Sequence, residues 1–243
     1  MNIVILAAGY ATRLYPLTKN FPKPLLEVGD QTIVDRMLEQ LRKMRPNKIV
    51  LVSNQKFAAH FIDWCPADVE LVVNNSTNAE DRQGAIGDLA LGLAVVDSTE
   101  NCLVLAADNI FEFDFAEVVP MNTRHCVVGV WQNPNPEDQT RRGNVQLDED
   151  KVVQFVEKPP KAISPWAAAP VYLLTEEALK LVPVFLQDVH DRDISERDAP
   201  GHFMTWLLQT QALNDGLRAM YLPAKPIDIG TVEALQAARH KFS

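Results

Sequence analysis

The sequence predicts an α/β protein: a doubly wound, Rossmann-like sheet, mixed but mostly parallel, that continues into a smaller β lobe. Three observations predict it. Short apolar runs of strand length alternate with amphipathic segments through the first half. The connections between them are short. Polar or glycine-bearing stretches follow the ends of the apolar runs, where sheets of this kind bind ligands.

Ile3 to Ala7 is a continuous apolar run ending at Ala8-Gly9, as in a buried parallel strand that runs into a loop. Thr32 followed by Asp35 marks a helix start, and Ile33, Met37, Leu38, Leu41 and Met44 then share one helical face. Pro46-Asn47 stops that helix before a second strand, Lys48 to Val52. A helix over Phe57 to Trp64, a strand over Val69 to Val73, a helix from about Gly87 to Val96 and a strand over Cys102 to Ala106 complete the alternation. In the second half, strands are expected at Cys126 to Trp131, Gly143 to Leu147, Val152 to Val156 and Pro170 to Leu174. Helices at Phe203 to Leu213 and Val232 to His240 close the fold. The charged stretch Gln187 to Gly201 reads as a solvated surface loop. With no repeat and no linker-like break in composition, the chain reads as one domain, 1–243, with halves meeting at about residue 120.

Composition narrows the partners. The 243 residues, 47% hydrophobic, suffice for a large core. Lys+Arg of 23 against Asp+Glu of 32 gives a net charge of −9, which argues against nucleic acid polymers and anionic membranes. Phosphate binding must then be local, and Arg13, Lys19 and Lys23 cluster with no acid before Glu27. Cys65, Cys102 and Cys126 lack C-x-x-C spacing and read as reduced thiols, buried for Cys102 and Cys126. No histidine pair has zinc-ligand spacing. Without a leader or a membrane-length apolar run, a soluble, cytoplasmic protein is expected.

The chemistry concentrates in two early segments. Leu6, Ala7, Ala8 and Gly9 form a small-residue strand end whose N–H groups a ligand can approach closely, and Arg13 adds a planar fork for phosphate oxygens. In Phe21-Pro-Lys-Pro-Leu-Leu26, prolines on both sides of Lys23 direct its ammonium. This is neither a P-loop nor a dinucleotide-binding turn.

With these residues the sequence resembles the sugar-phosphate nucleotidyltransferases (nucleotide-sugar pyrophosphorylases), particularly the short glucose-1-phosphate thymidylyltransferase-like proteins. Their opening signature is approximately Leu-Ala-(Ala/Gly)-Gly-x-Gly-Thr-Arg-Leu, then Pro-Lys-Pro. Four later segments recur in order: Leu105-Ala-Ala-Asp-Asn109, Gly143-Asn-Val145, Val156-Glu-Lys-Pro159 and Asp228-Ile-Gly-Thr231.

The resemblance implies a nucleotide-binding first half, an acceptor-binding second half with a small sugar-binding β lobe, and Mg²⁺ as cofactor. It implies an NTP and a sugar 1-phosphate as substrates, with dTTP or UTP and glucose 1-phosphate favoured, and relatives of this kind often form homo-oligomers. Arg13 and Lys23 would be catalytic, and Asp108 and Asp228 would hold the metal. Leu6 to Gly9, Asn74, Asn75 and Gly84 would bind the nucleotide, and Gly143, Glu157, Lys158 and Tyr172 the acceptor. Arg82 is expected to pair with Glu80 or Asp81.

Two departures stand out. Ala11 replaces the second loop glycine, and Ala168-Ala-Pro-Val-Tyr172 replaces Asn-Ala-Gly-(Ile/Val)-Tyr, which puts the acceptor in question. Two alternatives stay open: a cytidylyltransferase acting on a phosphomonoester such as phosphocholine, with Trp131, Trp166 and Tyr172 as candidate cage residues, and a catalytically silent nucleotide-sugar sensor.

Overall fold

The computed structural model describes residues 1–97 and 99–243. In chain order its strands begin with β1 (Asn2–Leu6), β2 (Glu27–Val28), β3 (Gln31–Thr32), β4 (Lys48–Asn54), β5 (Val69–Asn74), β6 (Cys102–Ala106) and β7 (Asn109–Ile110). They continue with β8 (Cys126–Gln132), β9 (Gly143–Asp148), β10 (Lys151–Glu157), β11 (Trp166–Leu174), β12 (Leu217–Tyr221) and β13 (Ile227–Asp228). The helices are α1 (Ile33–Lys43), α2 (Ala58–Trp64), α3 (Ala85–Leu93), α4 (Phe115–Val118), α5 (Pro136–Gln139), α6 (Glu176–Asp188), α7 (Pro200–Gln209) and α8 (Val232–Lys241).

Nine strands form one sheet in the order β5-β4-β1-β6-β11-β8-β12-β10-β9. The pairs β4–β5, β1–β4, β1–β6 and β8–β12 are parallel. Every other pairing in this sheet is antiparallel. The expectation of a mostly parallel sheet is therefore corrected: the sheet is mixed in nearly equal parts. Parallel pairing needs a crossover element between strands, and β9 and β10 are joined only by a two-residue turn, while α6 and α7 connect strands that are not neighbours, β11 and β12.

Helices cover both faces. One core packs α1, α2 and α4 on the sheet through Met37, Leu38, Leu41, Phe57, Phe61 and Phe115. The other packs α3, α6 and α7 through Ile86, Leu89, Leu179, Val182, Phe203 and Leu207. A third, smaller cluster joins Leu14, Leu26, Val28 and Ile33 to Ile110 of β7 and to Ile229, Leu235 and Ala238 of the C-terminal segment. It anchors the loops that carry Arg13 and Lys23. Thr32 caps α1 by accepting from the Asp35 N–H at 3.1 Å.

Several elements differ from expectation: the short β2, β3, β7, β13, α4 and α5 were not expected, and α7 spans Pro200–Gln209 rather than Phe203 to Leu213. α3 begins at Ala85 rather than Gly87, because Gly84 at φ 77° turns the chain into it. β11 begins at Trp166, four residues early; Pro170 is accommodated at a register shift against β8 between Ala168 and Tyr172. α6 was not expected, and Pro183 lies inside it. β12, entered through Gly216 at φ 71°, was not expected either. Among the described residues no helix is long and apolar enough to cross a membrane.

Candidate functional site

A cleft of about 610 Å³ opens at the carboxyl ends of β1 and β6, in the parallel part of the sheet. Leu6, Ala7, Ala8, Gly9, Arg13, Lys23, Gly84, Asp108 and Asp228 all line it. The strand ends are tied together: the Ala7 N–H donates to the Val52 carbonyl at 2.8 Å and the Ala107 N–H to the Leu6 carbonyl at 2.9 Å. A Cβ on Gly9 would meet nothing within 4 Å, so the cleft is open above that residue. Ala11 takes the left-handed conformation, φ 47°, that the replaced glycine would adopt without strain. Its carbonyl accepts from the Thr18 hydroxyl at 2.7 Å and from the Leu14 N–H at 3.0 Å, which holds the turn bearing Arg13.

The cleft floor is electrostatically built. The Lys23 ammonium, with only 6% of the residue exposed, donates to Asp108 Oδ2 at 2.9 Å and lies 3.8 Å from Asp228 Oδ1. Pro22 and Pro24 flank it within a 3-10 turn. The Asn109 amide donates to Asp108 Oδ1 at 2.6 Å, and β13 pairs Asp228 with Asn109. Desolvation pushes the Asp108 carboxyl up, but the charge and hydrogen bond of Lys23 outweigh it and hold the group below its ordinary value. Asp228 is displaced the other way, raised by burial and by the Asp108 charge against the pull of Lys23, Arg142 and Arg13. Arg13 itself is exposed and forms no ion pair among the described residues, so its guanidinium is available to a ligand.

Two hard carboxylates facing one region fit a Mg²⁺ ion, which typically takes one or two carboxylates plus phosphate oxygens and water. No group of three or more potential ligands exists among the described residues, so nucleotide or water oxygens would have to complete the shell.

The far end of the cleft differs from expectation. Asn74 is buried, its amide donating to Asp88 Oδ1 at 2.5 Å and its carbonyl accepting from the Ser76 N–H at 2.9 Å. It does not line the cleft, and neither does the exposed Asn75. Asp88 does line it. Burial, with a contribution from Asp198, pushes the Asp88 carboxyl up to about 6 against the bond from Asn74. Arg82 pairs with neither Glu80 nor Asp81: its Nε donates to Asp198 at 3.0 Å and its Nη1 to the Ala79 carbonyl at 2.8 Å. The supposed surface loop therefore supplies a wall of the cleft, where Asp198, Ala199 and Pro200 lie. A charge run reads as solvated in sequence; only the fold brings this one against Arg82.

The expected acceptor residues lie beyond Pro200. Glu157, at the end of β10, abuts Gly201, where any Cβ would collide with its carboxylate. Burial raises the Glu157 carboxyl against the charge of Lys158, which is exposed at φ 47°. Tyr172 is a core residue between Val104 and Val128, its hydroxyl raised by burial and then by the Glu157 charge. Gly143 pairs with Glu157, and Phe155 and Ala168 fill the space a Cβ would need, so packing already requires a glycine there. Its neighbour Asn144 is a buried hub that donates to the Trp166 carbonyl at 2.6 Å and accepts from the Ile163 N–H at 2.6 Å. Arg142 was missed in sequence. It reaches Asp228 at 3.7 Å and Asp138 at 3.1 Å, and its carbonyl accepts from the Lys158 N–H at 3.0 Å. It thus links the Glu157-Lys158 segment, which does not line the cleft, to the carboxylates. Trp131 lies under Lys225, Trp166 packs on Tyr221 and Tyr172 is buried, so these three rings do not form a cage.

The site is a cleft at parallel strand ends, floored by a lysine between two carboxylates. The family model described as nucleotidyl transferase matches residues 2–243, and the chain belongs to that family. It is similar to mannose-1-phosphate guanylyltransferase 1 of Arabidopsis thaliana, 28% identical over 236 residues, covering 95% of this chain and 61% of the relative. It is also similar to the mannose-1-phosphate guanylyltransferase catalytic subunit beta of Drosophila pseudoobscura pseudoobscura, 30% identical over 187 residues, 74% of this chain and 50% of the relative. The chain thus spans between half and three-fifths of the length of these curated relatives. In fold it resembles a Bacillus anthracis protein described as a glucose-1-phosphate thymidylyltransferase, solved in complex with a sucrose. That match has a TM-score of 0.82 and 21% identity, covering 100% of this chain and 95% of the other.

Proposed function

We propose that the chain transfers a nucleoside monophosphate from an NTP to a sugar 1-phosphate, releasing pyrophosphate, with GTP and mannose 1-phosphate as the first pair to test. The observation that carries the reading is the Lys23 ammonium held between Asp108 and Asp228, 2.9 and 3.8 Å away, in the same cleft as Arg13, which has no ion-pair partner among the described residues. The names of the curated relatives favour guanosine over the dTTP or UTP expected from sequence.

An acceptor phosphate oxygen is already anionic. It attacks the α-phosphorus and displaces pyrophosphate, whose bridging oxygen takes the bonding pair, so no general base is required. Catalysis reduces to positioning and charge stabilisation. In this proposal Arg13 holds the departing pyrophosphate and Lys23 the α-phosphate, while Leu6 to Gly9 seat the nucleoside. Asp108 and Asp228 would hold Mg²⁺, which would supply neutralisation of phosphate charge. Lys158 and Arg142 receive the acceptor phosphate, and Glu157 accepts from sugar hydroxyls.

Pyrophosphate release measured for five NTPs against common sugar 1-phosphates, with Mg²⁺ and with EDTA, tests the proposal. Release from GTP with mannose 1-phosphate, abolished by EDTA, is expected. Tight binding of a nucleotide sugar with no release from any pair would sink it and favour the silent sensor.

A further inference from the structure

The cleft has two chemically different ends. Asp108 follows β6 and Asn74 ends β5, and the strand order β5-β4-β1-β6 separates them by three strand spacings, or about 14 Å. Arg13, Lys23, Asp108 and Asp228 form the charged end. Towards β5, α3 packs against β1, β4 and β5 and presents its first turn, with Gly84, Ala85 and Asp88 in the cleft wall. A nucleoside whose α-phosphate rests on Lys23 would extend its base in this direction.

Asp88 is poorly explained by packing. It is 7% exposed, and it lines the cleft. Asn74 occupies Oδ1 at 2.5 Å, and Asn74 is itself pinned by the Ser76 N–H at 2.9 Å. Oδ2 accepts no hydrogen bond from the described residues and is not sealed from solvent, so a ligand in the cleft can reach it. Burying most of a carboxylate is costly, and an alanine in this helical turn would avoid the cost. The Arg82–Asp198 pair closes the neighbouring wall and leaves Asp88 without a cation of its own.

We infer that Asp88 selects the nucleobase, and that the base it selects is guanine. An ionised carboxylate only accepts hydrogen bonds. Guanine presents two adjacent donors on one edge, N1–H and the N2 amino group; Oδ2 is free for one of them, and Oδ1 keeps a further lone pair beside the Asn74 bond for the other. Uracil and thymine flank a single donor with two acceptors, and cytosine and adenine set an acceptor beside their amino group. Each of these would oppose an acceptor to Asp88, and a buried polar mismatch discriminates strongly. Asn74, expected to read the base, instead orients the residue that does. The inference rests on the nucleotidyl-transfer reading for the placement of the α-phosphate.

The test is calorimetric titration of GTP and inosine triphosphate, whose base lacks the N2 amino group, into the wild type and Asp88→Asn with Mg²⁺ and no acceptor. Wild type should bind GTP at least tenfold more tightly than inosine triphosphate. Asp88→Asn should lose that preference while still binding inosine triphosphate, which also shows that its cleft is folded. Unchanged GTP preference in the variant, tighter binding of dTTP than GTP by wild type, or no nucleotide binding would overturn the inference. GTP discrimination without pyrophosphate release from any acceptor would support it and count against the transfer reading. Pyrophosphate release from dTTP that Asp88→Asn leaves untouched would do the reverse.

Discussion

Arg13 and Lys23 occupy one cleft but stand in different environments, so their removal should differ. Arg13 is exposed and unpaired among the described residues, and Arg13→Ala should change stability by less than about 0.5 kcal/mol. Turnover should fall about 10²–10³-fold, the loss typical of one group that stabilises developing charge. Lys23→Ala should lower turnover and also destabilise, because Asp108 loses its ion-pair partner and faces Asp228 with only the Arg142 contact to Asp228, at 3.7 Å, left at the pair. The two carboxylates remain 43% and 37% exposed, so the cost stays below the roughly 3–5 kcal/mol of a fully buried broken pair. Thermal unfolding beside steady-state turnover separates the two variants.

Asp88 carries a stability signature of its own. Its carboxyl is raised from 3.8 to about 6 in the fold, chiefly by burial. The folded state therefore binds this proton more tightly than the unfolded chain does, and stability falls as pH rises from about 4 to about 6. The ionised carboxylate costs up to about 3 kcal/mol above that window. Asp88→Asn should be more stable than wild type at pH 7.5, and the two should converge near pH 4. Equal stability at pH 7.5, by urea unfolding, would show that the carboxylate is not strained by its burial.

At the scale of elements, α3 matters because it brings Asp88 to the cleft. A Cβ on Gly92 would approach Val4 Cγ1 to 2.8 Å and Val52 Cγ2 to 3.0 Å, so the helix seats close on β1 and β4 only because that residue is glycine. Gly92→Val should destabilise by about 1–3 kcal/mol through overpacking and shift the first turn of α3, weakening nucleotide binding as well. Elements with strong periodicity were legible in sequence: β1, α1, β4 and β6 lie within a residue or two of expectation. α6 was not, because Pro183 forbids a helical hydrogen bond at its own position; Ala178, Leu179, Val182 and Phe185 outweigh that by burying one face. β12 is short and alternates weakly, so its pairing with β8 is a tertiary effect.

Over the whole molecule, the ordered motifs made the charged floor legible, since Lys23, Asp108 and Asp228 converge from residues far apart in the chain. What no motif conveyed were the partners of that floor and of the far wall. Arg142 looked like one more surface arginine, and Asp198 lay in a run that reads as solvent-exposed. Asp88 is an ordinary acid in an alanine- and leucine-rich helix until folding buries it. With a net charge of −9, the chain offers a nucleotide few cationic landing places, and the Arg13–Lys23 cleft is a built one.

In the proposed reaction, the bond broken in this cleft is the one between the α- and β-phosphates. Incubation with GTP labelled at either the α- or the γ-phosphate, together with mannose 1-phosphate and Mg²⁺, tests it most directly. The α-label should move into a nucleotide sugar and the γ-label into pyrophosphate. Recovery of the γ-label on the sugar or as free phosphate, with the α-label remaining in GDP, would contradict the account.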